Sequence, residues 1–446
     1  MVEREVSNWG NYPKLKAEVK TFNDVPEADN YIKRLGESVI PRGNGRCYGD
    51  ASLEDHILST LRYDKLLYFD REHGILECQS GITLDQVLQV IVPYGWFVPV
   101  TPGTKLITVG GAIASDVHGK NHHKDGCFAD HVLEMDVLTG TGEIITCGPG
   151  REEELFEITR GGMGLTGLIT RVRFTLKPIK SSYISQKQVK ARNLDEAFDL
   201  FQEYKDYTYS VSWIDCFQTG KNLGRSILMV GEHAEPEELT RSQAKDPLKV
   251  HDKRLLTMPV YLPGMALNPL SIRSFNFLYY LKNTRKIQEG TVDYNGFFYP
   301  LDAILEWNKL YGRKGFVQYQ FVLPMETSRK GLEDVLTRIN KKGLGSFLAV
   351  LKLFGKQDNL ISFPMEGYTL ALDFPVRDDL FPFLDKLDKV VHDLGGRLYL
   401  SKDARMSKGA FLQGYPRAEE FIELVKKYNP DYTYNSIQAK RLGITT

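Results

Sequence analysis

Two glycine-rich tracts about 60 residues apart constrain this chain more than any other feature in it. The first is PRGNGRCYGD (41–50), with three glycines inside seven residues. Glycine accepts positive φ and lets a ligand come close to the backbone. Successive N–H groups in such a loop form a nest for an anion such as a pyrophosphate. The spacing is not the G-x-G-x-x-G of a strand-to-helix dinucleotide turn, so a Rossmann site is disfavoured. Taken alone, the tract reads equally well as a tight loop. The second tract is TPGTKLITVGGAIASDVHGKNHH (101–123). Its small residues Gly110, Gly111, Ala112, Ala114 and Ser115 would let a flat or phosphorylated ligand lie on the backbone. A polar cluster follows at once: Asp116, His118, Lys120, Asn121, His122 and His123. Two such loops together are more specific than either one.

The chain of 446 residues carries 57 basic and 57 acidic side chains, and this lack of basic excess argues against a duplex nucleic-acid binder. Hydrophobic residues make up 42%, enough for a large core without disulfide or metal staples. Five cysteines, Cys47, Cys78, Cys127, Cys147 and Cys216, form an odd set with no CxxC spacing, which fits a reducing compartment. The start, MVEREVSNWGNYPKLK, has no apolar signal region, and no run reaches the ~18 apolar residues of a membrane span. The expectation is a cytoplasmic protein, soluble or attached to membrane only peripherally. HGKNHH (118–123) has no metal-ligand spacing, so no metal is expected. His122 and His123 read as hydrogen-bonded structural groups.

Residues 20 to 178 read as short strands and helices separated by glycine turns. Strands are expected at 75–78, 96–100, 131–139, 143–147 and 168–176, and helices at 83–92 and 152–158. Beyond about 180, helical periodicity marks 194–201, 301–310, 329–341 and 380–394, and β-rich runs mark 316–323 and 347–354. A last helix is expected near 418–428. The fold class is therefore α+β. The stretch 254–281, RLLTMPVYLPGMALNPLSIRSFNFLYYL, is apolar, interrupted by proline and poorly periodic. It reads either as a core-packed loop or as an apolar lid or membrane-contacting flap.

RGNGRCYGD and TPGTKLITVGGAIASDVHGKNHH together resemble the FAD-binding domain of the vanillyl-alcohol-oxidase/PCMH superfamily. More narrowly, the chain is similar to the decaprenylphosphoryl-β-D-ribose oxidases. RGGMGLTGLI (160–169), YSVSWID (209–215), PLDAILEWNKLYG (300–312), GFVQYQFVLP (315–324), VLKLFG (350–355), LDFP (372–375), GGRLYLSKDAR (395–405) and QAKRLGI (438–444) agree, so the resemblance spans nearly the whole chain. It implies a two-lobe fold. Residues 1–178 would form a PCMH-type FAD domain and 179–394 a substrate domain with an antiparallel sheet backed by helices. Residues 395–446 would return to the FAD domain.

Carried over, Arg42, Gly43, Asn44, Gly45, Arg46, Cys47 and Tyr48 would form the first pyrophosphate loop. Gly103 with Thr108, Val109, Gly110 and Gly111 would form the second. Ser115, Asp116, Val117 and His118 would line the flavin, with Ile169 and Tyr399 closing on it. Many relatives hold the flavin covalently on a histidine of the first loop. That place is Arg46 here, followed by Cys47, and the second loop has no cysteine, so non-covalent FAD is expected. The substrate side would be Tyr48, His118, Lys120, Trp213, Gln318, Gln320, Lys352 and Lys402, with catalysis resting on Lys402, Lys352, His118, Gln320 and Tyr48. Two departures stand out. The family's tyrosine before His-Pro is Phe298 here, followed by Tyr299-Pro300, so Tyr299 is expected to take over the hydroxyl. The family's Asn-x-Cys is Thr369-Leu370-Ala371, which places Thr369 at the substrate and removes the thiol.

Physical reasoning adds conditions. Gln318 and Gln320 share one face of a strand. Lys352, inside an apolar run, needs a polar cavity or solvent, since an unpaired buried ammonium is costly. Tyr399 and Lys402 would face opposite ways on a straight strand, so a bend is required for both to reach one site. The resemblance implies oxidation of the 2-hydroxyl of a polyprenyl-phosphate ribose, with a separate NAD(P)H-dependent keto-reductase completing epimerisation to arabinose. The alternatives are a soluble alditol or sugar-lactone oxidase on the same fold, and a flavin-binding subunit without catalysis of its own.

Overall fold

The computed structural model of the protein describes residues 2–251, 256–262 and 268–446. The first lobe holds two sheets. In one, Val2–Ser7 pairs antiparallel with Lys14–Thr21, and His56–Ser59 and Ile40–Arg42 follow in parallel. The strand Ile40–Arg42 delivers the chain directly into the first glycine loop. The other sheet is antiparallel, in the order Leu66–Asp70, Ile75–Gln79, Gly167–Thr175, Val132–Thr139, Ile144–Cys147. The helix Leu84–Ile91 buries Leu84, Val87, Leu88 and Ile91, the apolar stripe of an amphipathic helix. It starts at Thr83, whose hydroxyl and the Gln86 side chain cap each other's backbone.

The second lobe is built on one antiparallel sheet of eight strands. Their order is Ile287–Asp293, Tyr183–Ala191, Ser226–His233, Tyr209–Ile214, Val350–Phe354, Gly367–Pro375, Phe316–Pro324 and Arg397–Leu398. The helices Leu194–Glu203, Met325–Lys341 and Leu380–Asp393 cover one face. Along Phe316–Pro324, the buried Val317, Tyr319, Phe321 and Leu323 alternate with Gln318 and Gln320. The period of two turns the two glutamines away from the helices and toward the first lobe. The chain then returns to that lobe: Ala418–Tyr428 packs on Glu153–Thr159, and Tyr434 bridges Val39.

Several elements differ from their sequence pattern. The expected helix at 301–310 is instead a 3-10 turn Pro300–Ala303, a short strand Ile304–Leu305 and a second turn Trp307–Tyr311. Glu306 sits at φ 56, a left-handed conformation that no helix continues through. The strand expected at 96–100 is only Trp96–Phe97, and that at 347–354 begins at Val350. Within 254–281, residues 254–255 and 263–267 lie outside the described residues. The remainder contains not a loop but the helix Pro269–Lys282. Asn268 starts it by accepting from the Leu270 and Ser271 N–H groups, with Pro269 at the first helical position. Its apolar residues lie all around the axis, which hid the helical period: Leu270 is 75% and Leu278 66% exposed.

Candidate active site

The face of the eight-stranded sheet left free by the helices closes against the two glycine loops around a cavity of about 510 Å³. The loops meet in one wall. Asn44 Nδ2 donates to Leu106 O at 2.8 Å, tying the first loop to the second. A Cβ at Gly43 would stand 2.2 Å from Thr108 Oγ1. That oxygen cannot swing aside freely, because it accepts the Gly111 N–H. At Gly110 a Cβ would press on Ser80 at 2.8 Å, whereas one at Gly103 would meet open space. The glycines therefore make a backbone surface without side-chain relief on two sides of the cavity. Ser80 Oγ and Arg46 Nε, on residues of this wall, are buried without a hydrogen-bond partner. Such unpaired groups are costly unless a ligand satisfies them. A glycine floor, orphaned donors and the Arg46 guanidinium fit a bound pyrophosphate with an adjoining flat ring system.

Arg46 also stacks on Trp9, 4.1 Å from the ring centroid. Arg42 turns inward to Ser7 O and Asn8 Oδ1, so it braces the loop as well as lining it. Cys47 Sγ rests 3.3 Å from Ser52 Oγ, and burial pushes its thiol up.

The chemical end of the cavity is assembled by sheet register. Gln318 lies opposite Asp373, Gln320 opposite Ala371, and Lys352 opposite Thr369. Trp213 lies opposite Val350 on the next strand pair. Gln318 Nε2 donates to Asp373 Oδ1 at 2.7 Å, and Tyr311 Oη reaches Asp373 Oδ2 at 3.4 Å. Gln320 Nε2 lies 3.3 Å from His118 Nε2 and 3.3 Å from Thr369 Oγ1. Lys402 enters from the opposite side, its Nζ 3.8 Å from the centroid of the Tyr48 ring. The bend that Lys402 requires is a 3-10 turn at Leu400–Lys402. It lets Tyr399 Oη donate to Ser115 O at 3.1 Å while Lys402 still faces the cavity. Phe363 stacks on Tyr399 with centroids 4.5 Å apart.

Three lysines line one enclosed space, and burial acts on each of them first. It lowers Lys352 to about 8. Burial, with the Lys352 charge adding to it, brings Lys120 down to about 7. Lys402 is also held at about 7: burial and Lys352 depress it, and the Asp373 carboxylate opposes them. The same burial raises Asp373 to about 7, against the pull of Gln318, Lys402 and Tyr311. His118 is kept well below its ordinary value by burial, then by Lys352, His122 and Lys402, so it is neutral at pH 7. Lys120 Nζ donates to Phe297 O and sits 4.2 Å from the Phe297 ring centroid.

Most of the expected residues meet in this one wall, but four do not. Val109 is a core side chain whose N–H donates to Ile82 O. Asp116 points away from the cavity and accepts from Gln357, Asn359 and Ser362. Tyr299 is buried with its hydroxyl 2.7 Å from Thr101 Oγ1, and Phe298 rather than Tyr299 faces the cavity. Thr369 stands one layer back, donating to Phe321 O and accepting from Gln320. His122 and His123 are held by Gln357 and by Tyr207 O. Among the described residues, no three His, Cys, Asp or Glu side chains group so as to hold a metal. Residues that the sequence reading missed include Asp373, Ser80, and Phe275 with Tyr279 from the helix Pro269–Lys282. Asp373 carried a usable signal, since it lies at the period of two from Thr369 and Ala371 on one strand.

Residues 13–148 match the family described as FAD binding domain. Decaprenylphosphoryl-beta-D-ribose oxidase of Mycolicibacterium smegmatis is 35% identical over 454 aligned positions, covering 99% of this chain and 98% of that protein. An uncharacterized protein of Streptomyces coelicolor is 32% identical, covering 81% of this chain and all of that one. D-lactate dehydrogenase of Anaerostipes hadrus is 32% identical over 39% of each chain.

Proposed function

Because this chain belongs to the decaprenylphosphoryl-β-D-ribose oxidase family of FAD flavoproteins, we propose that it oxidises the 2-hydroxyl of a polyprenyl-phosphate-linked ribose to a 2-keto sugar. The observation that carries the reading is the meeting of Lys402, Lys352, Gln320 and neutral His118 in one cavity walled by the two glycine loops. FAD, when bound, supplies the two-electron acceptor for the hydride that leaves the carbinol carbon. The chain's own part is placement and proton handling. Lys402, as a free amine, takes the hydroxyl proton as the C=O bond forms, and a base poised near 7 suits that task at neutral pH. Gln320 and the Lys352 ammonium orient the hydroxyl. The cations of Lys352 and Lys120 also suit an anionic substrate group. Tyr48 packs under the Lys402 ammonium and limits its rotamers. Non-covalent FAD is supported by Arg46 in place of the linking histidine and by a Cys47 thiol buried beside Ser52.

The product's chemistry calls for a separate NAD(P)H-dependent keto-reductase to deliver the arabinose epimer. All five cysteines are free thiols, which supports a cytoplasmic, reducing location. Among the described residues, no helix is long and apolar enough to cross a membrane. The exposed Leu270, Phe277, Leu278 and Leu281 on Pro269–Lys282, beside Phe275 and Tyr279 at the cavity, support peripheral contact with the lipid surface.

The test is anaerobic. Purified protein is expected to be yellow, to release FAD on acid precipitation and to bleach when a polyprenylphosphoryl ribose is added. Bleaching by free polyols or sugar lactones instead would favour the alditol or lactone oxidase, and no bleaching by any of these would end the catalytic reading. Lys402→Ala should stay yellow and lose bleaching by at least about 100-fold. Full bleaching in that variant would remove Lys402 from the reaction.

A further inference from the structure

Asp373 is a carboxylate buried in the same cavity as Lys402. It is only 1% exposed and lies on the strand Gly367–Pro375, directly across from Gln318. The amide of Gln318 bonds Asp373 at 2.7 Å and also reaches Tyr48 Oη at 3.5 Å, and Tyr48 carries the Lys402 ammonium on its ring. Asp373 N–H donates to Ser346 Oγ, which fixes the strand at that point. Among the described residues one other carboxylate lines the cavity, Asp302, and it accepts the Lys105 N–H beside Arg46, at the glycine-loop end. Asp373 is thus the cavity carboxylate that reaches the Lys402 side chain, by way of Gln318 and Tyr48.

We propose that Asp373, linked to Lys402 through Gln318 and Tyr48, is the positioning residue that fits Lys402 to accept the substrate proton. The proposal rests on the assignment of Lys402 as the base. The groups facing Lys402 are Asp373, Lys352, Cys47 and His118, with the Tyr48 ring beneath it. Those facing Asp373 are Gln318, Tyr311, Tyr48 and Lys402. Burial and Lys352 both favour the neutral amine, and a lysine left to them alone would be too weak a base to take a proton from a carbinol. The Asp373 carboxylate favours the ammonium form and offsets them. Reciprocally, Lys402 favours the ionised carboxylate, so the two titrate as a pair. Gln318 sustains this by hydrogen bonding to the charged oxygen, and this gives the strand pairing Gln318↔Asp373 a chemical purpose.

The test reads Lys402 itself. In the FAD-loaded protein without substrate, the rate of Lys402 acetylation by acetic anhydride is followed against pH by mass spectrometry. In parallel, the rate of flavin bleaching by polyprenylphosphoryl ribose is followed against pH. Asp373→Asn should move both inflections downward by about one pH unit or more, because the group that raised Lys402 is gone. It should also slow bleaching at its new plateau, since the base is weaker. A purely structural loss would cut the rate and leave the inflections where they were, and that result overturns the proposal. Gln318→Leu leaves the carboxyl in place but removes its donor, so Asp373 is less ionised and the labelling inflection falls in the same direction by less. If Asp373→Asn does not fold, an unmoved inflection in Gln318→Leu overturns the proposal equally. The labelling arm needs no substrate. A shifted label with no bleaching by the sugar lipid in wild type sustains the pair while sinking the substrate assignment. An unshifted label with full bleaching does the reverse.

Discussion

Lys352 has the opposite effect on Lys402 from Asp373, and a smaller one. Two ammonium groups in one cavity disfavour each other's protonated form, so Lys352 pushes Lys402 down. Lys352→Met removes that push, and Lys402 then holds its proton to higher pH. The acid limb of the bleaching rate, expected at about 7 in the wild type, should move upward. A limb that stays put would mean that Lys352 acts on the substrate alone. At the same scale, Gly49 shows how closely the two ends of the site are fitted. A Cβ there would stand 1.7 Å from Asp403 O, backbone against backbone, beside Lys402. Gly49→Ala must displace the Lys402 segment, at a cost of about 1–3 kcal/mol. The expected result is a lower apparent melting temperature with slower bleaching. Unchanged melting and bleaching would show that the two backbones part here without cost to the Lys402 segment.

Much at the level of elements was legible because it repeats with a period. The strands and helices whose apolar residues alternate or recur lie within a few residues of where the sequence put them, from Ile75–Gln79 to Ala418–Tyr428. The same period put Gln318 and Gln320 on one face and would have added Asp373. Where no period exists, sequence was silent. It could not show that Thr101 captures the Tyr299 hydroxyl, that Asp116 turns back to Ser362, or that a 3-10 turn swings Lys402 inward. The helix Pro269–Lys282 is the instructive case. Ile272, Phe275 and Tyr279 pack on the protein, but Leu270, Phe277, Leu278 and Leu281 stand exposed, so its apolar residues form no single stripe. No Asp or Glu occurs from 253 to 288, while Arg273, Lys282, Arg285 and Lys286 lie on or beside the helix. Phe277→Ser with Leu278→Ser should leave melting within about 0.5 kcal/mol of wild type, since both side chains are exposed. Co-sedimentation with vesicles containing anionic phospholipid should fall, and the wild-type binding should weaken as salt screens the basic residues. Binding that survives the double substitution would move the lipid contact elsewhere.

Across the whole molecule, the two lobes share a site only if the segment carrying Lys402 is locked to the loop that would hold the pyrophosphate. The lock is Arg441, on the helix Ile437–Leu442. Its guanidinium binds Asp50 Oδ1 at 2.7 Å at the end of the first glycine loop, and Asp403 Oδ2 at 2.8 Å next to Lys402. Three segments, from the start, the end and the Lys402 turn, are joined by one side chain. Both carboxylates are buried, and burial alone would raise Asp50. Removing the cation leaves two buried carboxylates without the ion-pair partner they share, and breaking such a buried network typically costs about 3–5 kcal/mol. Arg441→Met should therefore lower the apparent melting temperature, and it should weaken FAD binding because the first loop loses its anchor. Excess FAD should restore part of the lost stability by mass action, about 2.7 kcal/mol when its concentration is 100 times the dissociation constant. Calorimetry with and without added FAD separates the two effects. A variant that melts lower but holds FAD as tightly as wild type would confine the role of Arg441 to folding. One that melts and binds as wild type does would mean that the lobes are held together by the sheet and loops alone.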